Sequence, residues 1–332
     1  MDTPLGPVPR VGTQLTTSDR LNGCKVCWGM GRYDYTVVPG VYALGDPGPD
    51  APVLVTANYK LSFDSLRREL EGVDAWLLSL DTNGINVWCA AGKRTFSTDT
   101  LVQALRSANL GRLINHRRLI LPQLAAPGVA AHQVKRQTGF EVKWGPVRSA
   151  DLPAYLNNGG KAEPAMRRVN FPLGRRAVLA PMELVPALKM ILPTAAALML
   201  LAGLLGSGPF ATGALGPGLF MAGALLWAAV AGAVAGPLLL PWLPGRAFSA
   251  KGAGLGLAAA GVYLAFYRAE PLLGWAGFLL ILAACSFVVM NFTGASTFTS
   301  LSGVKKEMRR AVPLQIAGVV LGIGLWLWAL WT

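Results

Sequence analysis

The sequence predicts an α/β domain of the Rossmann-like or flavodoxin-like kind, followed by an all-α membrane domain of five transmembrane helices. Three observations predict it. Short apolar runs alternate with amphipathic segments through the first half of the chain, the pattern of a sheet with helices on both faces. Charge is absent from residues 190–245, 271–304 and 311–332; a soluble core does not need apolar runs that long, whereas a bilayer span needs roughly 20 apolar residues. The charges left in that second half gather at alternate loops. The chain as a whole is 53% hydrophobic and only 14% charged, which is low for a soluble globular protein.

Taken in order, residues 1–40 read as an N-terminal extension carrying Cys24 and Cys27 in GCKVCWGMG. The opening MDTPLGPVPRVGTQL has no apolar h-region, so no cleavable signal is expected and the soluble half should stay in the cytosol. Four cysteines divided between a cytosolic and a membrane domain do not make a disulfide framework. Residues 41–160 form the α/β domain. VLVT (53–56) predicts a strand, and Ser62 then caps a helix that places Leu66 and Leu70 on one face and ends before Gly72. AWLLSL (75–80) predicts a buried strand and INVW (85–88) another. STDTLVQALRSANL (97–110) predicts a capped amphipathic helix, RLILP (118–122) a strand ending at a proline, and FEVKWGPV (140–147) the last strand.

Ligands of such sheets bind beyond the carboxyl ends of the strands. The loops expected there are TANY, DTNG, WCAAGK, QLAAPGVAAH and GPVRSADLP. They are rich in Gly, Ala, Pro and Asn and poor in charge, which suits a large flat cofactor better than a nucleotide. CAAGKRT is no phosphate loop: Val87 stands where the first glycine is needed, and Arg94 replaces the Ser/Thr. No GxGxxG follows a strand, and His116 and His132 lie outside any paired metal spacing, so both read as surface or packing residues. Cys89 is open to two readings. A small cysteine beside Trp and Ala is commonly a buried hydrophobe; one at the opening of a helix can be a thiolate and a soft ligand for a transition metal.

Residues 161–186 read as a basic linker and 187–332 as the membrane domain, with spans near 187–206, 215–240, 250–267, 272–292 and 313–331. Arg167, Arg168, Arg175 and Arg176 precede the first span, Arg246 and Lys251 follow the second, and KKEMRR (305–310) precedes the fifth, while the other loops are neutral. By the positive-inside rule the N-terminal domain is cytosolic, the C-terminus lies outside, and the protein sits in the cytoplasmic membrane. The net charge of +13 belongs to this asymmetry, and no nucleic-acid partner is expected. The spans lack a mid-membrane acid or base, which weighs against ion transport. The segment 291–308 is rich in Ser, Thr and Gly and reads either as a connector or as a cradle for a polar ligand. Cys285 reads as packing.

GINVWCAAGK closely resembles the cap-helix signature of the mercury-methylating corrinoid proteins, with Asn86, Val87, Trp88, Cys89, Ala90, Ala91, Gly92 and Lys93 matching at every position. VLVTANYKLSFD, DAWLLSLDTNG, LILPQLAAPGVAAH, GPVRSADLP and FTGASTFTSLSGVKKEM are also similar to this family. The soluble part resembles the corrinoid domain of the corrinoid iron–sulfur protein of the acetyl-CoA pathway, which has no cysteine at the position of Cys89. The resemblance implies a cobalamin lying flat on the loops with its dimethylbenzimidazole displaced. Cys89 would ligate cobalt as a thiolate. Thr56, Asn58, Thr82, the octapeptide, Gln123, Leu124, Gly128, Val129, Gly145 and Pro146 would surround the ring. It further implies a methyl donor linked to methyltetrahydrofolate, Hg(II) as acceptor, and a ferredoxin-like iron–sulfur electron donor, because this chain has no four-cysteine cluster pattern.

Cys24 and Cys27 could hold Hg(II), act as a redox pair, or be incidental. Two other readings stand beside the methyltransferase: a membrane-anchored corrinoid methyl carrier for one-carbon metabolism, and a membrane scaffold or transporter with a regulatory soluble domain. Lipid is the expected surround, and a homo-oligomer is compatible with the sequence.

Overall fold

The computed structural model describes residues 1–32, 34–292 and 301–332. Two compact units divide the chain, one holding residues 1–26 and 30–170, the other 27–29 and 171–332.

The first unit is built on a six-stranded sheet. Its strands are β1 (Arg10–Val11), β2 (Gly40–Leu44), β3 (Val53–Ala57), β4 (Ala75–Leu80), β5 (Arg118–Leu121) and β6 (Glu141–Trp144). Their spatial order is β1-β2-β4-β3-β5-β6. Strands β4, β3, β5 and β6 run parallel, and β2 joins β4 antiparallel. Counted from β3, the parallel part has the flavodoxin-like order 2-1-3-4, so the order reverses between β3 and β5. Every residue of β3 and β4 is buried, as a parallel sheet covered on both faces requires. Side chains alternate between the faces. Val53, Val55 and Ala57 join one core cluster with Trp76, Leu78 and Leu80, whereas Leu54 and Leu77 join the other with Phe63, Leu66 and Leu152.

Six helices accompany the sheet: α1 (Thr17–Cys27), α2 (Lys60–Arg68), α3 (Val87–Lys93), α4 (Thr98–Ala108), α5 (Ala131–Thr138) and α6 (Leu152–Asn157). The first 40 residues, set apart as an extension by sequence, contribute β1 to the sheet edge and Val8 and Val26 to the core. Thr16 and Asp19 form a reciprocal capping box at the start of α1, with Thr16 N–H and Oγ1 donating to Asp19 Oδ2 and Asp19 N–H donating to Thr16 Oγ1.

Several expectations need correction. INVW is not a strand. Asn83 and Gly84 turn the chain back with φ of +55° and +66°, and Asn86 caps a helix beginning at Val87, so local capping overrides the β-preference of Ile, Val and Trp. DTNG and WCAAGK therefore belong to the single connection after β4. Ser62 is not a cap either: α2 begins at Lys60 after Tyr59, with no side-chain cap. Leu70 is buried but lies beyond the end of α2. By contrast Ser97 does cap α4, accepting from Thr100 N at 3.2 Å.

Among the described residues of the second unit, five helices are long and apolar enough to cross a membrane: α7 (Leu173–Leu205), α8 (Phe210–Leu239), α9 (Phe248–Tyr267), α10 (Pro271–Asn291) and α11 (Ser302–Ala329). The first starts well before the expected 187, and the fifth starts before 313, so KKEMRR lies on α11 and not in a loop. The serine- and threonine-rich stretch 293–300 lies outside the described residues. Side-chain bonds tie one end of this unit together. Arg176 donates to Leu238 O at 2.5 Å, Lys251 donates to Leu240 O and Leu243 O, and Ser249 N–H donates to Glu307 Oε1 at 2.6 Å. Cations thus meet the carboxyl end of α8 and an acid meets the amino end of α9, as the helix dipoles favour. At the other end Ser207 N–H meets Leu330 O. Arg175 and Arg176 at the start of α7, Arg246 and Lys251 around the start of α9, and the basic cluster on α11 consequently share one end of this unit.

Candidate functional site

The reversal between β3 and β5 leaves a cleft of about 400 Å³ above the carboxyl ends of the strands. Thr56, next to last in β3, lies among its lining residues, Leu124 and Pro146 follow β5 and β6, and Asn86, Val87 and Trp88 form one wall. Ser65 of α2 and Ser149 are hydrogen-bonded across its base at 2.9 Å. The lining is predominantly apolar, as expected of a site for a large organic cofactor.

The wall at Asn86 is held from below. Asn58, just past β3, accepts with one Oδ1 from Thr82 N–H at 3.0 Å, Thr82 Oγ1 at 2.9 Å and Gly84 N–H at 3.2 Å, and its Nδ2 donates to Asp81 at 3.3 Å. Thr82 Oγ1 also reaches Ile85 O at 2.7 Å. Both residues are buried and spend their polar atoms inside the protein. They fix the turn that launches α3, and the structure does not bring them to the cleft surface.

Asn86 then accepts from Cys89 N–H at 2.9 Å, satisfying one of the amides that a helix start leaves unpaired. Cys89 is therefore the third residue of α3. The inner face of the helix is Ala90 and Ala91, both buried, while Gly92 and Lys93 are exposed. Between these faces Cys89 is half-buried and free of any disulfide. It follows Trp88 of the cleft wall but is not itself among the residues that line the cleft. The helix closes at Arg94 in the left-handed region, with Thr95 N–H and Phe96 N–H returning to Ala90 O.

Small residues let the neighbouring loop lie against this helix. A Cβ on Gly128 would strike the Phe96 carbonyl and stand 3.0 Å from Ala91 Cα, so Gly128 and Val129 back α3 from behind. Gly145 lines the cleft, and a Cβ there would stand 3.0 Å from Ile120 Cγ2. Around Gly92 nothing lies within 4 Å of a Cβ, so the outer surface beside Cys89 is bare. Sequence reasoning missed Arg167, which donates to Gly145 O at 3.0 Å and to the Gln123 side chain. It clamps the loops after β5 and β6 together. In the sequence it reads only as one of a run of basic residues, so no local signal marks it.

Of the remaining candidates, Cys24 is exposed and Cys27 half-buried, three residues apart on α1. His116 bonds Ala51 O and accepts from Arg118 N–H, and His132 is exposed on α5. No group of three or more metal-ligating side chains occurs among the described residues.

Residues 31–156 match the family described as CO dehydrogenase/acetyl-CoA synthase delta subunit. The chain is similar to the gamma subunit of the acetyl-CoA decarbonylase/synthase complex of Methanopyrus kandleri, 32% identical over 131 residues, which is 39% of this chain and 28% of that protein. To the same subunit of Archaeoglobus fulgidus it is 33% identical over 127 residues, 38% of this chain and 27% of that protein. The chain thus spans about a quarter of the length of these relatives.

Proposed function

We propose that this chain is a membrane-anchored corrinoid protein that carries and transfers methyl groups, with the Cys89 sulfur as ligand to cobalt. The observation that carries the reading is a half-buried sulfur on a side-chain-capped helix whose first two residues, Val87 and Trp88, form a wall of the switch-point cleft. Similarity to subunits of acetyl-CoA decarbonylase/synthase complexes supports a place in one-carbon metabolism. The NVWCAAGK match favours a finer reading, Hg(II) as the methyl acceptor.

The residues present fit a corrin in two respects. The Cys89 sulfur is a soft donor, half-buried, with no hydrogen-bond partner among the described residues. Beside it, Gly92 leaves the helix surface bare, and the cleft adds an apolar bed for a ring that would lie across it. Bound cobalamin would supply a methyl group held on cobalt, and a sulfur donor from Cys89 would make that methyl electron-rich, suited to a soft electrophile such as Hg(II). The protein's own part is positioning: Asn58 and Thr82 set the turn, Asn86 pins the first turn of α3, and Gly128 backs it. A ferredoxin-like reductant, a folate-linked methyl donor and a cytosolic orientation of the α/β unit complete the proposal.

The test uses purified full-length protein reconstituted with cobalamin. Cys89→Ala is expected to remain folded, to shift the visible spectrum of the bound corrinoid and to abolish methyl transfer. An unchanged spectrum and full activity would remove sulfur from the mechanism. Offering Hg(II) and a thiol in parallel assigns the acceptor: methylation of the thiol alone leaves a carrier for one-carbon metabolism, and methylmercury formation supports the finer reading.

A further inference from the structure

A cavity of about 630 Å³ in the second unit lies between α9, α10 and α11. Its walls are Leu279, Leu282, Ala283 and Leu314, and Leu314 is 74% exposed, so the apolar part opens to the outside of the helices. One end carries Arg246, Lys306 and Arg310, with Glu307 the acid among them. Glu307 is engaged with Ser249 N–H, while the three cations form no ion pair among the described residues.

A polar relay runs along the wall. Ser286 Oγ donates to Ser249 O at 3.0 Å, so it can only accept from Gln315 Nε2, at 2.9 Å. That orients the Gln315 amide and leaves Oε1 buried with no donor among the described residues. Gln315 is only 8% exposed and forms part of the cavity wall. A buried acceptor without a partner is costly, and a bound molecule bringing a hydroxyl relieves it. Gln315 follows Arg310 by five residues, so it sits roughly 7–8 Å further along α11 at the rise of a helix.

From this combination we infer that the cavity binds a phospholipid with an anionic, hydroxyl-bearing headgroup. The phosphate meets Arg246, Lys306 and Arg310, a headgroup hydroxyl reaches toward Gln315, and an acyl chain lies along Leu279, Leu282 and Leu314. The open apolar wall favours a lipid over a soluble anion, which would gain nothing from it. The inference rests on the membrane reading of the five helices.

Native mass spectrometry of the full-length protein, from micelles doped with equal phosphatidylglycerol, phosphatidic acid and phosphatidylcholine, tests it. Phosphatidylglycerol should be retained above both others. Substituting Arg246→Gln, Lys306→Gln and Arg310→Gln should lower its retention about fivefold per cation removed. Gln315→Leu should erase the preference over phosphatidic acid while the preference over phosphatidylcholine persists. Equal retention of phosphatidylglycerol and phosphatidylcholine, or a triple variant indistinguishable from the parent, overturns the proposal. So does full displacement by soluble glycerol phosphate, which would make this a site for a small anion. Alkaline carbonate extraction of the protein from vesicles tests the membrane reading separately; release into the wash would sink that reading itself.

Discussion

Cys89 and Asn86 act as a unit. The cap bond ties the backbone of the cysteine to the side chain three residues earlier, so sulfur position depends on an amide that never touches it. Asn86→Ala should cost about 1 kcal/mol of stability, read by urea denaturation, and should weaken cobalamin binding with the sulfur still present. Asn86→Ser or Asn86→Asp should restore most of the stability, since both side chains cap well. The octapeptide singles out Cys89 in the sequence because eight matching positions are specific. Asn58 and Thr82 were legible as residues near the site but not in their role, because the bonds that bury them join segments 24 and 26 positions apart. Arg167 was invisible for the same reason, its partners lying 22 and 44 positions away.

At the level of elements, α1 is held to α2 by a compact ion network. Lys60 bonds Asp19 at 2.5 Å and Asp64 at 2.7 Å, and Arg67 bonds Asp19 at 2.9 Å and Asp64 at 2.8 Å. Arg67 also donates to the carbonyls of Gly12 and Gln14. Burial alone would raise the Asp19 carboxyl, but its bonds from Lys60 and Thr16 outweigh that and hold it well below the usual carboxylate range. Burial would likewise lower the Lys60 ammonium, and Asp19 and Asp64 raise it instead. The depressed acid contributes stability above its unfolded pKa of roughly 3.9 and loses it as pH falls further; the raised base contributes below roughly 10.4 and loses it as pH rises. Hydrogen exchange should therefore show α1 amides opening first on acidification below about pH 4, and Asp19→Asn should give the same opening at neutral pH. Strands β3, β4, β5 and β6 were legible from apolar runs alone, but β2 (Gly40–Leu44) was not read as a strand. INVW was not, since a turn of positive φ and a side-chain cap outvoted its residue preferences, and the short β1 was too brief to carry a pattern.

On the scale of the whole molecule, the five long apolar helices and the basic clusters at one end predict a sided insertion. A reporter fused to the C-terminus should be active outside the cell, and one fused to the N-terminus only inside; both on one side would refute the odd number of crossings. The count of long apolar helices was legible because charge is absent over such lengths. Their starts were not, because charged residues such as those of KKEMRR continue a helix beyond its apolar part. The contact of Glu307 with the amide of Ser249 sets a schedule as well. The third long helix is synthesised nearly sixty residues before the acid that completes its first turn, so this bundle closes only once the final segment has left the ribosome. A chain shortened ahead of that glutamate would wait, unfinished, for a piece that never arrives.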